Sequence, residues 1–134
     1  MQEVQITGFF ANIEKETLQN NNFRKVLFTG AHSQLVVMSL LPREEIGMEV
    51  HPNVDQFFRI EAGAAKVIMN GQETQVKADD VFIVPAGTNH NVINTSTTEP
   101  LKLYTIYSPP NHPAGTIHKT KMEAEAAEAA KHNR

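Results

Sequence analysis

Four side chains in this sequence have the types and spacing to hold a metal ion: Glu49, His51, Gln56 and His90. Glu49 and His51 are two positions apart, so on an extended chain they point to the same face, and Gln56, Phe58 and Ile60 share a face in their turn. His90 lies far along the chain, just after the Pro85 and Gly87 turn. Two imidazoles and a carboxylate from separate strands make a nitrogen and oxygen set of the kind found in non-haem metal sites, with Gln56 as a weaker neutral oxygen donor. An inward histidine on a strand is, on its own, more often a hydrogen-bonded core residue than a ligand. The case rests on the set.

The elements that must position these residues are strands. Phe23 to Thr29 and Gln34 to Leu41 are rich in apolar and β-branched residues and flank a turn marked by Gly30, which predicts a hairpin. Ala64 to Met69 and Glu73 to Val76 meet across Asn70-Gly71, a pair suited to the positive φ angles of a two-residue hairpin turn. Val81 to Val84 reads as a buried strand stopped by Pro85. His90, Val92 and Asn94 share one face of the next, and Leu101 to Tyr107 is the last clear strand. Val4 to Phe10 is expected to form a first strand or an arm, and Glu14 to Asn22 a loop with at most one helical turn. Many short strands with turns between them and no long helix predict an all-β sandwich or barrel.

Ser108 to Gly115 contains three prolines and cannot join a ladder. It is expected to be a loop, either inert or folded back over the barrel mouth. From Lys119 the composition favours helix, but Met122 is the one large apolar side chain there, so a solvated, partly frayed helix is expected. The divisions are therefore an N-terminal arm or strand over 1–20, a barrel over 21–108, and a Pro/Gly loop with an Ala/Glu/Lys-rich tail over 109–134.

Composition narrows the partners. The 134 residues suit one domain, and with no cysteine there is no disulfide or thiolate ligand. Twelve basic residues scattered along a chain of net charge -3 give no footprint for nucleic acid or anionic lipid. No apolar stretch approaches a membrane span and the N-terminus lacks a signal-peptide pattern, so a soluble cytoplasmic protein with a small-molecule partner is the expectation.

The spacing around these residues resembles that of the cupins, small jelly-roll barrels with two sequence motifs around a central pocket. The second motif, G-x5-P-x-G-x2-H-x3-N, is matched by Pro85, Gly87, His90 and Asn94, with Asp79 at its first glycine. In the first motif, G-x5-H-x-H-x3,4-E-x6-G, Gly63 is the closing glycine, Gln56 stands at the glutamate, His51 at the second histidine and Glu49 at the first, while Arg43 replaces the opening glycine. A register with His51 and Asn53 as the two histidines would need a shorter ligand gap than the motif allows. The carboxylate has moved, and the charge of the set is kept. The resemblance implies a jelly-roll cupin barrel with a short C-terminal helix or tail, and a divalent ion such as iron, manganese, nickel or zinc held by Glu49, His51, Gln56 and His90. Phe58, Ile60, Val92 and Tyr104 or Tyr107 are expected to line the pocket, and Asn94 to bond a neighbouring turn. His112 and His118 are expected at the surface, unless the Pro/Gly loop covers the mouth and makes one a proton carrier.

Three functions compete at this point. One is metal-dependent oxygenase or isomerase chemistry on a small organic molecule. Another is a non-catalytic binding module for a sugar or metabolite in the same pocket. The third is a structural or interaction protein, a homodimer joined through the first strands with Phe9, Phe10 and the Phe23 to Phe28 strand at the interface, as cupins commonly are dimers.

Overall fold

The computed structural model describes residues 7–132, and among them are two helices and nine strands. In chain order these are α1 (Ile13–Gln19), β1 (Arg24–Thr29), β2 (Gln34–Leu40), β3 (Asp55–Ala62), β4 (Ala64–Met69), β5 (Gln72–Lys77), β6 (Val81–Val84), β7 (His90–Asn94), β8 (Leu101–Ser108), β9 (Ile117–His118) and α2 (Lys121–His132). A six-stranded sheet in the order β6-β3-β8-β2-β1-β9 faces a three-stranded sheet in the order β5-β4-β7. This is the jelly-roll barrel that the resemblance to cupins implied. No helix among the described residues is long and apolar enough to cross a membrane.

The core fills the space between the two sheets. Val36, Met38 and Leu40 of β2, Phe58 and Ile60 of β3, Val67 of β4, Val92 of β7 and Leu101 and Leu103 of β8 are essentially inaccessible to solvent. Their alternation along each strand places the outward residues in a second layer on the far side of the six-stranded sheet. Phe58 stacks on Phe82 at 4.6 Å between ring centroids, joining β3 to β6 inside the barrel.

The turns obey the residues expected of them. Asn70 (φ 49°) and Gly71 (φ 84°) link β4 to β5 with both central residues left-handed. Gly63 (φ 97°) separates β3 from β4, and a Cβ there would stand 3.0 Å from the Pro100 carbonyl oxygen. Arg43 and Asp79, which occupy motif glycine positions, also have left-handed backbones, with φ of 65° and 76°. The conformation is retained although the residue that takes it most readily is absent.

Several expectations are corrected. Of the strand or arm expected over Val4 to Phe10, residues 4–6 lie outside the described residues, and residues 7–10 form no strand. The stretch read as a polar loop holds α1, capped by Asn12, whose side chain accepts from the Lys15 N–H. Glu49 and His51 precede β3 instead of lying within it. Met48–Pro52 is an irregular segment tied down by a single antiparallel bridge between Glu49 and His90. The C-terminal helix is not simply solvated: Thr120 Oγ1 accepts from the Glu123 N–H at its start, the Glu123 carboxylate accepts from the Lys119 N–H, and Ala124 packs into the core.

Candidate metal centre

Glu49, His51 and His90 converge. One ligand atom from each lies within 4.8 Å of the others. Glu49 Oε1 is 3.4 Å from His51 Nε2 and 3.9 Å from His90 Nε2, and the two imidazole rings are 5.6 Å apart between centroids. The convergence is built from the main chain: Glu49 and His90 exchange backbone N–H to carbonyl hydrogen bonds of 2.9 and 3.0 Å, which hold the irregular segment against β7.

The free lone pairs of this group are arranged for a cation. His90 Nδ1 lies 2.9 Å from the Thr88 carbonyl oxygen, an acceptor, so Nδ1 carries the proton and Nε2 faces Glu49 unprotonated in the neutral ring. His90 Nε2, His51 Nε2 and Gln56 Oε1 are all buried without a hydrogen-bond partner among the described residues. The Gln56 amide is oriented by donating from Nε2 to Thr105 Oγ1 at 3.0 Å, which leaves its oxygen free. Buried polar atoms left open in this way cost stability unless something satisfies them, and an ion held between Glu49, His51 and His90 would engage both imidazole nitrogens. The donor set fits the group that the motifs imply.

Charge around Glu49 is tuned in two directions. Burial pushes its carboxyl up, but the hydrogen-bonding contact with His51 and the electrostatic pull of His51, His90 and Arg24 outweigh burial and hold it below the usual carboxylate range. Glu49 is thus ready as an anionic ligand.

Tyr107 stands next to the imidazoles, its ring edge-on to His51 at 6.0 Å. Burial, aided by the Glu49 charge, pushes its phenol up to about 12 against the pull of Arg24 and Gln56, so the hydroxyl keeps its proton. His112 Nε2 lies 3.2 Å from that hydroxyl. The loop carrying His112 is folded back over the barrel by Gln34, which is fully buried and uses its whole amide. Its Nε2 donates to Thr29 Oγ1 and the His112 carbonyl oxygen, and its Oε1 accepts from the Asn111 and His112 N–H groups. Of the two fates open to this loop, covering the mouth is the one observed. His112 and His118 are half-buried, not at the surface; burial and the nearby Arg24 charge push the His118 imidazole down against the opposing Glu123.

A cleft of about 410 Å³ opens onto Glu49 and His51, walled by Phe23, Arg24, Ile46 and Met48 on one side and by Asn111, His112 and the α2 residues Lys121, Ala124, Glu125 and Glu128 on the other. Phe58, Ile60 and Val92, expected to line the pocket, belong instead to the core behind it. Tyr104 points away from the interior and meets Phe57 at 6.2 Å on the outer face of the sheet, because Leu103, Thr105 and Tyr107 take the inward positions of β8. Asn94 donates to the Leu40, Leu41 and Glu99 carbonyl oxygens and accepts from the Ser96 N–H, the structural role expected of it.

Sequence reasoning missed Arg24, Gln34 and α2 as walls or supports of the cleft. For Arg24 a signal was present: the alternation of β1 places it on the inward face with Val26.

Comparison with known proteins agrees with this geometry. The cupin domain family matches residues 36–107. The chain is 55% identical over 126 residues to the uncharacterized protein YrkC of Bacillus subtilis, covering 90% of this chain and 67% of YrkC. It is 46% identical over 113 residues to the uncharacterized protein L612 of Acanthamoeba polyphaga mimivirus, covering 81% of this chain and 70% of L612. The crystal structure of BH2720 from Bacillus halodurans superposes with a TM-score of 0.88 at 45% identity, over 94% of this chain and 99% of that one. With both motifs in place around one interior cluster and more than half of its length matched, this chain belongs to the cupin domain family.

Proposed function

We propose that the protein is a metal-dependent cupin that binds a divalent ion, of iron, manganese, nickel or zinc, through Glu49, His51 and His90 with Gln56 in support, and acts on a small organic molecule in the adjoining cleft. The observation that carries this reading is the convergence of Glu49, His51 and His90 within 4.8 Å, with His51 Nε2, His90 Nε2 and Gln56 Oε1 all buried without a hydrogen-bond partner among the described residues. A bound ion would supply Lewis-acid polarisation of a substrate oxygen, or a site for oxygen chemistry. The remaining work falls to the chain. Tyr107 holds a proton on its hydroxyl, and His112, at 3.2 Å, connects that proton to the cleft. The loop pinned by Gln34 and the wall formed by α2 restrict water.

Elemental analysis of the purified protein tests this. Near-stoichiometric metal is expected in the wild type and in protein reloaded after chelation, and its loss in the His51→Ala, His90→Ala double variant. Equal, negligible metal in both would remove the reading. Stabilisation by metabolites with no dependence on metal would favour a binding module without chemistry.

For assembly, we infer that the protein is a homodimer joined through the outer face of the six-stranded sheet. Ile83, Phe57, Ile106, Leu35 and Phe28 pair in register across five strands there, and Phe9 packs on Phe28 at 5.5 Å. Such a continuous apolar row on the outside of a barrel suits burial against a second copy. Light scattering is expected to show a dimer that Ile83→Lys converts to a monomer; a monomeric wild type would exclude it.

A further inference from the structure

We propose that Arg24 makes the cleft a carboxylate site, so that the small molecule handled here is a monocarboxylate whose acid group lies between the Arg24 guanidinium and the Glu49, His51 and His90 group. This rests on the metal reading above and names the substrate class it leaves open.

Arg24 is only 7% exposed, yet it lines the cleft together with Glu49 and His51. Its Nε is buried without a hydrogen-bond partner among the described residues. The guanidinium lies 5.3 Å from the centre of the Phe23 ring, which holds its plane but does not neutralise it. Its charge is felt at Glu49 and at Tyr107, whose hydroxyl also takes a hydrogen bond from the guanidinium, which leaves Nε as the open donor. A permanently charged group this deep, with an unused donor, is costly unless an anion completes it, and a planar fork of N–H donors matches a carboxylate in particular.

The rest of the cleft selects among anions. Phe23, Ile46, Met48 and Val50 give an apolar wall for a carbon skeleton, and the volume of about 410 Å³ suits a small organic acid. Glu125 and Glu128 line the outer part and Glu49 the inner, against Lys121 alone at the rim. That balance accommodates one negative charge beside Arg24 and opposes a phosphate dianion or a polyacid.

The test uses the full chain loaded with zinc, titrated calorimetrically with butyrate, lactate, pyruvate and benzoate, with the corresponding neutral amides, and with inorganic phosphate. At least one acid is expected to bind, its amide at least about 10-fold more weakly, and Arg24→Met to weaken the acid by about 10-fold to 100-fold, the loss of a charge-assisted hydrogen-bond pair. Arg24→Lys, which keeps charge but not the fork, is expected to fall between them. Zinc stoichiometry and the thermal transition of each variant report that it is folded. The inference is overturned if zinc binds but none of the acids does, if the bound acid is indifferent to Arg24, or if phosphate binds more tightly than every acid. Wild-type protein that takes up no zinc overturns the metal reading instead, and the same titrations on that protein still decide whether Arg24 holds a carboxylate.

Discussion

Glu49 and His90 are joined twice, by a reciprocal pair of backbone hydrogen bonds of 2.9 and 3.0 Å and by a side-chain approach of 3.9 Å between Oε1 and Nε2. The main-chain pair fixes where the side chains begin, so two groups far apart in the chain meet although the segment around Glu49 belongs to no strand. A site assembled in this way is pre-organised, and its response to substitution should reflect donor chemistry rather than refolding.

Gln56 provides the first test of that chemistry. Replacing it by glutamate restores the family's usual carboxylate at a position 1% exposed. In metal-free protein the added charge is expected to cost roughly 3 kcal/mol, while the rise in melting temperature on adding a divalent ion should exceed that of the wild type. Denaturation with and without metal measures both. A smaller metal-induced rise would show that the Gln56 oxygen does not face the ion.

Tyr107 makes stability depend on alkaline pH. Its phenol is raised to about 12 in the folded state, whereas an unfolded tyrosine ionises near 10, so its proton is held more tightly by the folded chain. The resulting stabilisation is complete below about pH 10 and is lost as pH rises towards 12, about 3 kcal/mol across the window. Chemical denaturation between pH 9 and pH 12 should show this decline, and Tyr107→Phe should flatten it. An unaltered slope in the variant would assign the decline to other groups.

Gln34 is expected to control the mouth. Gln34→Leu leaves the Asn111 and His112 N–H groups and the His112 carbonyl oxygen without the partner that now binds them, at a cost of about 2–4 kcal/mol. Limited proteolysis should then cut within residues 109–115 well before the barrel unfolds. Unchanged resistance would mean that the loop is held by its other contacts.

Arg43 holds a left-handed backbone at φ 65° with an exposed side chain. Arg43→Gly is expected to stabilise by about 0.5–1 kcal/mol in urea unfolding, as glycine enters this region without steric cost. At Asp79 the same exchange should gain less, because it gives up the 3.1 Å contact with Arg59. Destabilisation by Arg43→Gly would show that the side chain contributes more than its backbone costs.

What could be read in advance was local. The run Val81 to Val84 matches β6 in extent, and His90, Val92 and Asn94 fall on β7, since each stretch is bounded by turn residues. But β6 is an edge strand with Val81 and Ile83 exposed, not the buried strand expected, because its place in the sheet is set by pairing with β3 alone. The hairpin at Asn70-Gly71 was equally plain because two positive φ angles suit few residue pairs. Harder cases had two defensible faces. Along β8, Leu101, Leu103 and Tyr107 compete with Tyr104 and Ile106 for the interior, and only pairing with β2 and β3 settles the parity in favour of Tyr107. In α2 no large apolar stripe marks the buried side, and the residue that meets the core is a small one, Ala124.

By itself, the sequence determined the elements, their turns and the four candidate ligands, because alternation, turn chemistry and motif spacing act over a few residues. Only the tertiary structure decided that Glu49, His51 and His90 come within 4.8 Å of one another, that Gln34 draws His112 back to Tyr107, and that Arg24 lies buried in the cleft rather than in solvent. Each of those depends on surfaces brought together by closing the barrel, and the free energy that selects them belongs to contacts between distant segments rather than to any one stretch of chain.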